Sequence, residues 1–182
     1  MLLEPVPNRE CGPCNICCKV PTIVEPEFTK PPGVLCQHWA GGCTIYKTRP
    51  GPCRGHFCAW RRIEQLGDEW RPDISNIYAE VKTEPNEQFK HVLPDAAFAL
   101  KFTVLGNLDG ARMDMLIATI DQLIGSAVPI ILSVAAPPGF MGGYRLLNPE
   151  LAALAGREDF ADALVQILRT LIATPPIAVR LP

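Results

Sequence analysis

"CGPCNICC", residues 11–18, sets four of the chain's eight cysteines into eight consecutive positions, the last two adjacent. The other four, Cys36, Cys43, Cys53 and Cys58, all fall before residue 59. The chain between them is dense in proline and glycine, as in "KPPGVLC" (30–36), "WAGGC" (39–43) and "RPGPCRG" (49–55). Such a stretch cannot sustain long helices or central strands, so its shape has to come from turns and cross-links. A metal supplies the cross-link most directly, because structural zinc contributes roughly 10–16 kcal/mol of apparent binding energy that becomes folding energy.

The spacing is C-x2-C-x2-C-C, then gaps of seventeen, six, nine and four residues, each ended by a cysteine. A two-residue gap lets a tight turn aim two sulfurs at one ion, and Gly12-Pro13 is suitable turn material, so Cys11 and Cys14 form the best-defined pair. Adjacent Cys17 and Cys18 would point to opposite sides of an extended chain. They are expected to serve different metals, or one is a terminal ligand while the other bridges or packs. Eight thiolates complete two four-thiolate sites or one multinuclear cluster, and zinc and iron both suit sulfur ligands. The first three cysteines begin like the ferredoxin run C-x2-C-x2-C-x3-C-P, but no Cys-Pro follows at the required offset, which argues against a ferredoxin fold without excluding an iron-sulfur cluster.

Composition supports metal over disulfides. A length of 182 residues fits one domain, or one modest domain with a small module, and 48% hydrophobic against 20% charged residues is the balance of a globular protein. "MLLEPVPNRE" lacks the charged and apolar regions of a secretion signal, and the longest apolar run, "AVPIILSVAA" (127–136), is too short to span a bilayer. A cytoplasmic address and no membrane partner are therefore expected. In a reducing compartment clustered cysteines are metal ligands before they are disulfides.

"CGPCNICC" followed by "LCQHWAGGCTIYKTRPGPCRGHFC" resembles the CxxCxxCC cysteine-cluster family, the YkgJ-like zinc- or iron-chelating domains. The resemblance covers about residues 11–60, a third of the chain. It includes C-x-I-Y-x-x-R-P-x-x-C-R as Cys43, Ile45, Tyr46, Arg49, Pro50, Cys53 and Arg54. It implies metal binding by all eight cysteines. Some proteins with this motif are flagellin lysine methylases, but the present chain has no G-x-G-x-x-G turn for a nucleotide-like cofactor and is short for a methyltransferase, so that activity is not carried over.

Around the cysteines, His38 and His56 could replace a thiolate as ligands, but with eight sulfurs available they are expected to stand behind the ligands or in solvent. His91 is expected to be structural. The net charge of −2 hides an asymmetry. Residues 11–62 carry seven Lys/Arg against two Glu, whereas residues 63–182 carry nine against fifteen acidic groups. Eight thiolates on two divalent ions leave about −4, so Lys19, Lys47, Arg49, Arg54, Arg61 and Arg62 are expected to offset thiolate charge rather than to bind nucleic acid. Trp39, Trp60 and Trp70 are expected to pack this half against the acidic one. No Ser/His/Asp set or paired carboxylates stand out.

Beyond Trp70 the pattern becomes that of a packed domain. Ile77, Ala79 and Val81 alternate with Tyr78, Glu80 and Lys82 as in a half-buried strand, and Phe98, Leu100, Phe102 and Val104 repeat the pattern, although Pro94-Asp95 could open a helix instead. Asp109 reads as the cap of a helix carrying Met113, Leu116, Ile117, Ile120 and Ile124 and stopped by Gly125. "VPIILSV" follows as a buried strand, which makes a strand-helix-strand crossover. Asn148-Pro149 reads as the cap and first turn of a final helix with Phe160, Leu164, Ile167, Leu168 and Leu171 on one face.

The expected fold is α+β: an irregular, metal-held module at 1–62 packed on a small sheet with C-terminal helices at 63–182, the two possibly one integrated domain. The expected function is zinc or iron (or iron-sulfur) binding with the metal structural. An iron-sulfur redox protein or metalloenzyme and a metal-organised adaptor for a protein partner are the alternatives.

Overall fold

A computed structural model of the chain describes residues 4–26, 28–83 and 97–181. The readings placed on His91 and on Pro94-Asp95 lie outside these residues. The molecule mixes helix and sheet, as an α+β chain should.

The cysteine half is turns and short elements: the one-turn helix α1 (Ile16–Lys19), the antiparallel pair β1 (Ile23–Glu25) and β2 (Phe28–Lys30), then α2 (Gly51–Gly55) and α3 (Ala59–Arg62). Helix α4 (Pro72–Ser75) ends at Asn76, whose φ of 57° is the left-handed turn that asparagine tolerates better than most residues. That turn delivers the chain into β3 (Ile77–Lys82).

β3 pairs antiparallel with β4 (Ala99–Val104), which runs parallel to β5 (Ile130–Val134). Parallel neighbours need a crossover, and α5 (Gly110–Gly125) supplies it. The Asp109 carboxylate accepts from the Arg112 backbone N–H at 2.9 Å, satisfying one of the helix's free amides. Leu116, Ile120 and Ile124 bury the apolar stripe. The chain reverses one step beyond the predicted stop, with Ser126 as the C-cap and Ala127, not Gly125, at positive φ. After β6 (Phe140–Met141), the strand β7 (Tyr144–Leu146) returns antiparallel to β5, giving the order β3-β4-β5-β7.

The short helix α6 (Asn148–Leu151) is separate from the long α7 (Phe160–Ala173), and β8 (Ile177–Ala178) closes on β6. The expected single helix from Asn148 is thus two. Asn148 does not cap α6; its Oδ1 accepts from Ile130 N–H and its Nδ2 donates to the Val128 carbonyl, both at 2.8 Å. A side chain that stands in for a ladder partner at the start of β5 is unavailable for capping.

Register fixes which side chains share a face. Ile77, Ala79, Leu100, Phe102, Val104, Ile130 and Leu132 alternate toward one side and join Leu116, Ile120, Leu164, Leu168 and Leu171 in one buried cluster. Phe98, expected to extend this stripe, precedes β4 and is exposed. The other side of β3 carries Tyr78, Glu80 and Lys82. Here the half-buried expectation fails: Tyr78 is 0% exposed and Glu80 is buried as well. The cysteine loops lie over that side, and Cys58, Ala59 and Trp60 enter the same buried cluster as the sheet. Among the described residues no helix is long and apolar enough to cross a membrane.

Candidate metal centre

The first cysteines are positioned by a local turn. Cys14 N–H donates to the Cys11 carbonyl at 3.0 Å, and Gly12, with φ of 53° and open space around it, takes the left-handed conformation this reversal needs. The segment is anchored from outside by Arg9, whose guanidinium donates to the carbonyls of Trp60, Ile63 and Glu64 and lies 5.5 Å from the Trp60 ring.

Cys17 and Cys18 do not sit in extended chain. They occupy α1, where Ile16, Cys17 and the C-cap Val20 pack on the core, and the two neighbouring thiols influence each other's protonation. That influence, with burial next, pushes the Cys17 thiol upward, and it holds the Cys18 thiol at about 7, with Lys30 and Arg49 also favouring the thiolate. The opposite-sides expectation therefore rested on the wrong backbone conformation, because helical neighbours diverge by only about 100°.

The later cysteines are brought to this helix by backbone pairing. Cys36 N–H donates to the Cys18 carbonyl at 3.0 Å, Trp39 N–H to the Cys36 carbonyl at 3.1 Å, and Trp39 bridges to Cys43. Cys58 forms an isolated antiparallel bridge to Glu80, which extends the edge of β3.

Four sulfur residues meet at one void. A cavity of about 10 Å³ is lined by Cys11, Cys14, Cys17 and Cys58 together with Trp60, Pro72 and Tyr78. That is the volume of about one water molecule or one ion. Backbone amides of Ile16 and Asp73 favour the Cys14 thiolate and those of Arg61 and Trp60 the Cys58 thiolate, and the Arg61 N–H donates to the Cys58 carbonyl at 3.0 Å. Burial raises the thiols of Cys11, Cys14 and Cys58, Cys14 to about 11. These groups are protonated at neutral pH unless a cation replaces the proton.

The remaining four, Cys18, Cys36, Cys43 and Cys53, line a larger cleft of about 790 Å³, whose wall also includes the first four. Cys53 is raised by burial and by its neighbours Cys36, Cys18 and Cys43, in that order. Beside them stands Lys30, 3% exposed, whose Nζ donates to the carbonyls of Lys19 (2.9 Å), Pro31 (3.1 Å) and Val34 (2.9 Å). Its charge is felt with those of Cys36, Cys18 and Cys53. Sequence reasoning missed Lys30; the only available hint was a lysine on a short strand between prolines.

The residues fit a metal by their donor chemistry. Trp60 Nε1, Arg61 Nε and Arg62 Nε are buried without a hydrogen-bond partner among the described residues, and Trp60 and Arg61 stand beside the thiols. Donors left over in this place match thiolate sulfur, a diffuse acceptor. No three His, Cys, Asp or Glu among the described residues are converged closely enough to hold an ion as they stand, so the four thiols surround the void rather than meeting in it.

The other expected residues divide. His56 lines the cleft and its Nε2 is hydrogen-bonded to the Tyr78 hydroxyl; burial pushes its imidazole below the ordinary value. His38 lies against Phe28, 5.6 Å between ring centres, and is not in the cleft wall. Arg49 lies 3.8 Å over the Tyr46 ring, within the field of Cys11, Cys18 and Cys53, whereas Arg54, Lys19 and Lys47 are exposed and outside the wall. Trp60 and Trp70 are buried in the shared core, Trp70 5.7 Å from Phe102, but Trp39 lines the cleft instead.

Comparison of the chain with protein-family models, with curated proteins and with solved structures returned no match.

Proposed function

We propose that this chain binds zinc or iron through its eight cysteines, and that the metal is chiefly structural, holding the loops of residues 11–58 against the sheet. The supporting observation is the small void bordered by Cys11, Cys14, Cys17 and Cys58, with a buried Trp60 N–H beside it that has no partner among the described residues. A water molecule is a poor occupant there, because the four bordering thiols offer it only weak hydrogen-bonding groups. A zinc ion would add cross-links alone; iron with sulfide would add one-electron chemistry. The spacing that resembles the CxxCxxCC cysteine-cluster family supports the same proposal.

Anaerobic purification followed by elemental analysis and a visible spectrum tests it. Bound zinc without colour supports a structural centre. Iron with sulfide and a broad visible band supports metal binding but moves the role to electron transfer or cluster chemistry. A folded protein that holds neither metal after purification and refuses both on reconstitution ends the proposal.

A second reading, a metalloenzyme, is favoured by the cleft of about 790 Å³ beside the sulfurs, a volume suited to a small-molecule ligand. It requires an open coordination position. Binding of cyanide or imidazole to the cobalt-substituted protein, seen as a change in its ligand-field bands, would support it, and cobalt bands indifferent to both would remove it.

A further inference from the structure

We infer that the eight cysteines build two separate four-thiolate centres, Cys11, Cys14, Cys17 and Cys58 at the face of the sheet and Cys18, Cys36, Cys43 and Cys53 in the loops around Lys30. This rests on the metal-binding proposal above and adds to it the partition of the ligands and the order in which the metals leave.

The first set is defined by the void. Four cysteines border it, and no carboxylate or imidazole does. Cys58 reaches it from the far end of the cysteine segment because its bridge to Glu80 fixes it on the edge of β3, while Tyr78 from the same strand forms part of the lining. The second set is defined by the path of the chain. Cys36 is tied to Cys18 by its backbone N–H, Cys43 is paired back to Trp39, and Cys53 lines the same cleft as these three without bordering the small void.

Each set has cationic or N–H groups beside it, Arg49 acting on both. Four thiolates on one divalent ion leave about −2. The first set faces Arg61 and the buried Trp60 N–H, the second faces Lys30, and Arg49 lies on the cleft wall they share. The division falls between Cys17 and Cys18, neighbours in α1: Cys17 borders the small void, whereas Cys18 lines the cleft but not the void.

The two centres also differ in access. Cys58 is buried, whereas Cys18, Cys36, Cys43 and Cys53 are half-exposed; Cys14 and Cys17 are half-exposed too and Cys11 is exposed, so the difference rests on Cys58 alone. The centre that holds Cys58 therefore keeps its last ligand until the β3 edge opens, and the centre in the loops loses its ion first.

The test uses the full chain, purified without oxygen, stripped, and titrated with Co²⁺. The wild type takes two equivalents with tetrathiolate ligand-field bands. Cys14→Ser/Cys58→Ser and Cys36→Ser/Cys53→Ser each take one. Zinc release from the native protein to a coloured chelator runs in two phases, the slow one absent from the first variant and the fast one from the second. A single equivalent, or one cluster lost by either variant pair, overturns the partition and leaves metal binding standing. A wild type that binds no metal overturns both.

Should a variant fail to fold, alkylation of the wild type decides. Iodoacetamide added after the fast phase should modify Cys18, Cys36, Cys43 and Cys53 and spare Cys11, Cys14, Cys17 and Cys58. Labelling that mixes the two sets overturns the inference.

Discussion

Cys58 and Glu80 face each other across an antiparallel bridge that adds one residue pair to the outer edge of β3. The pairing joins the last cysteine to the strand whose Tyr78 closes the small void and whose Glu80 and Lys82 line the cleft. It also covers an edge that would otherwise expose unpaired backbone groups. The sulfur loops and the sheet are consequently one mechanical unit at this point, which sets what metal loss does.

Stripping the metal should loosen residues 11–58 far more than β4, β5 and α5. Hydrogen exchange read peptide by peptide should show faster exchange across the cysteine loops, with Trp60 fluorescence changing in parallel. Equal acceleration in the strands, or none in the loops, would contradict a structural metal.

Lys30→Met keeps the length of the side chain but leaves the carbonyls of Lys19, Pro31 and Val34 without their shared donor. Losing charge-assisted bonds at a buried position costs about 3 kcal/mol. Denaturant unfolding should show that loss. An unchanged midpoint would mean that water replaces the ammonium group without penalty.

Asn148→Leu removes the two 2.8 Å bonds to Ile130 N–H and Val128 C=O and strands both groups in the interior. A destabilisation of about 2–4 kcal/mol follows from two unsatisfied buried partners. Metal content should be unaffected, since β5 is remote from the sulfurs in the sheet order. Asn148→Asp restores only the acceptor and should recover part of the stability.

Arg9→Ala should cost about 1–2 kcal/mol, since the side chain is half-exposed yet holds three carbonyls. The more telling readout is local: amides around Cys11 and Cys14 should exchange faster, and the metal should leave sooner. Unaltered exchange there would show that the Cys11–Cys14 turn keeps its place without the anchor.

Acid should weaken the fold partly through His56. Burial lowers its folded pKa beneath the unfolded value of about 6.5, so its neutral form is favoured in the folded protein. The stability linked to it is present above pH 6.5 and is lost as pH falls from there toward the folded pKa. His56→Gln, which keeps an acceptor for the Tyr78 hydroxyl and does not titrate, should flatten the stability slope just below pH 6.5. Equal slopes in both proteins would show that other groups carry the acid sensitivity.

The elements with strong local patterns were legible in the chain. Helical spacing from Met113 to Ile124 and the Asp109 cap define α5, and the alternation at 77–82 and 100–104 defines β3 and β4, because period and capping are properties of neighbouring residues. The failures are equally physical. Asn148 has the identity and neighbours of a cap, but a long-range partnership with β5 claims its side chain. Tyr78 and Glu80 have the pattern of an exposed face, and only the loops folded over them make them interior.

For the candidate centre the division is similar. The sequence by itself determined that eight thiols lie in a segment too rich in proline and glycine to fold on helices or central strands, and it offered Gly12-Pro13 as the first turn. Those are consequences of composition and spacing. Tertiary structure alone decided that Cys58 joins Cys11, Cys14 and Cys17 at one void, that Cys17 and Cys18 share a helical turn, and that Lys30 is the cation buried beside the second group. Residues so far apart in sequence meet only when the β3 edge and the strand pair β1–β2 bring the loops together, and spacing along a chain carries no record of that closure.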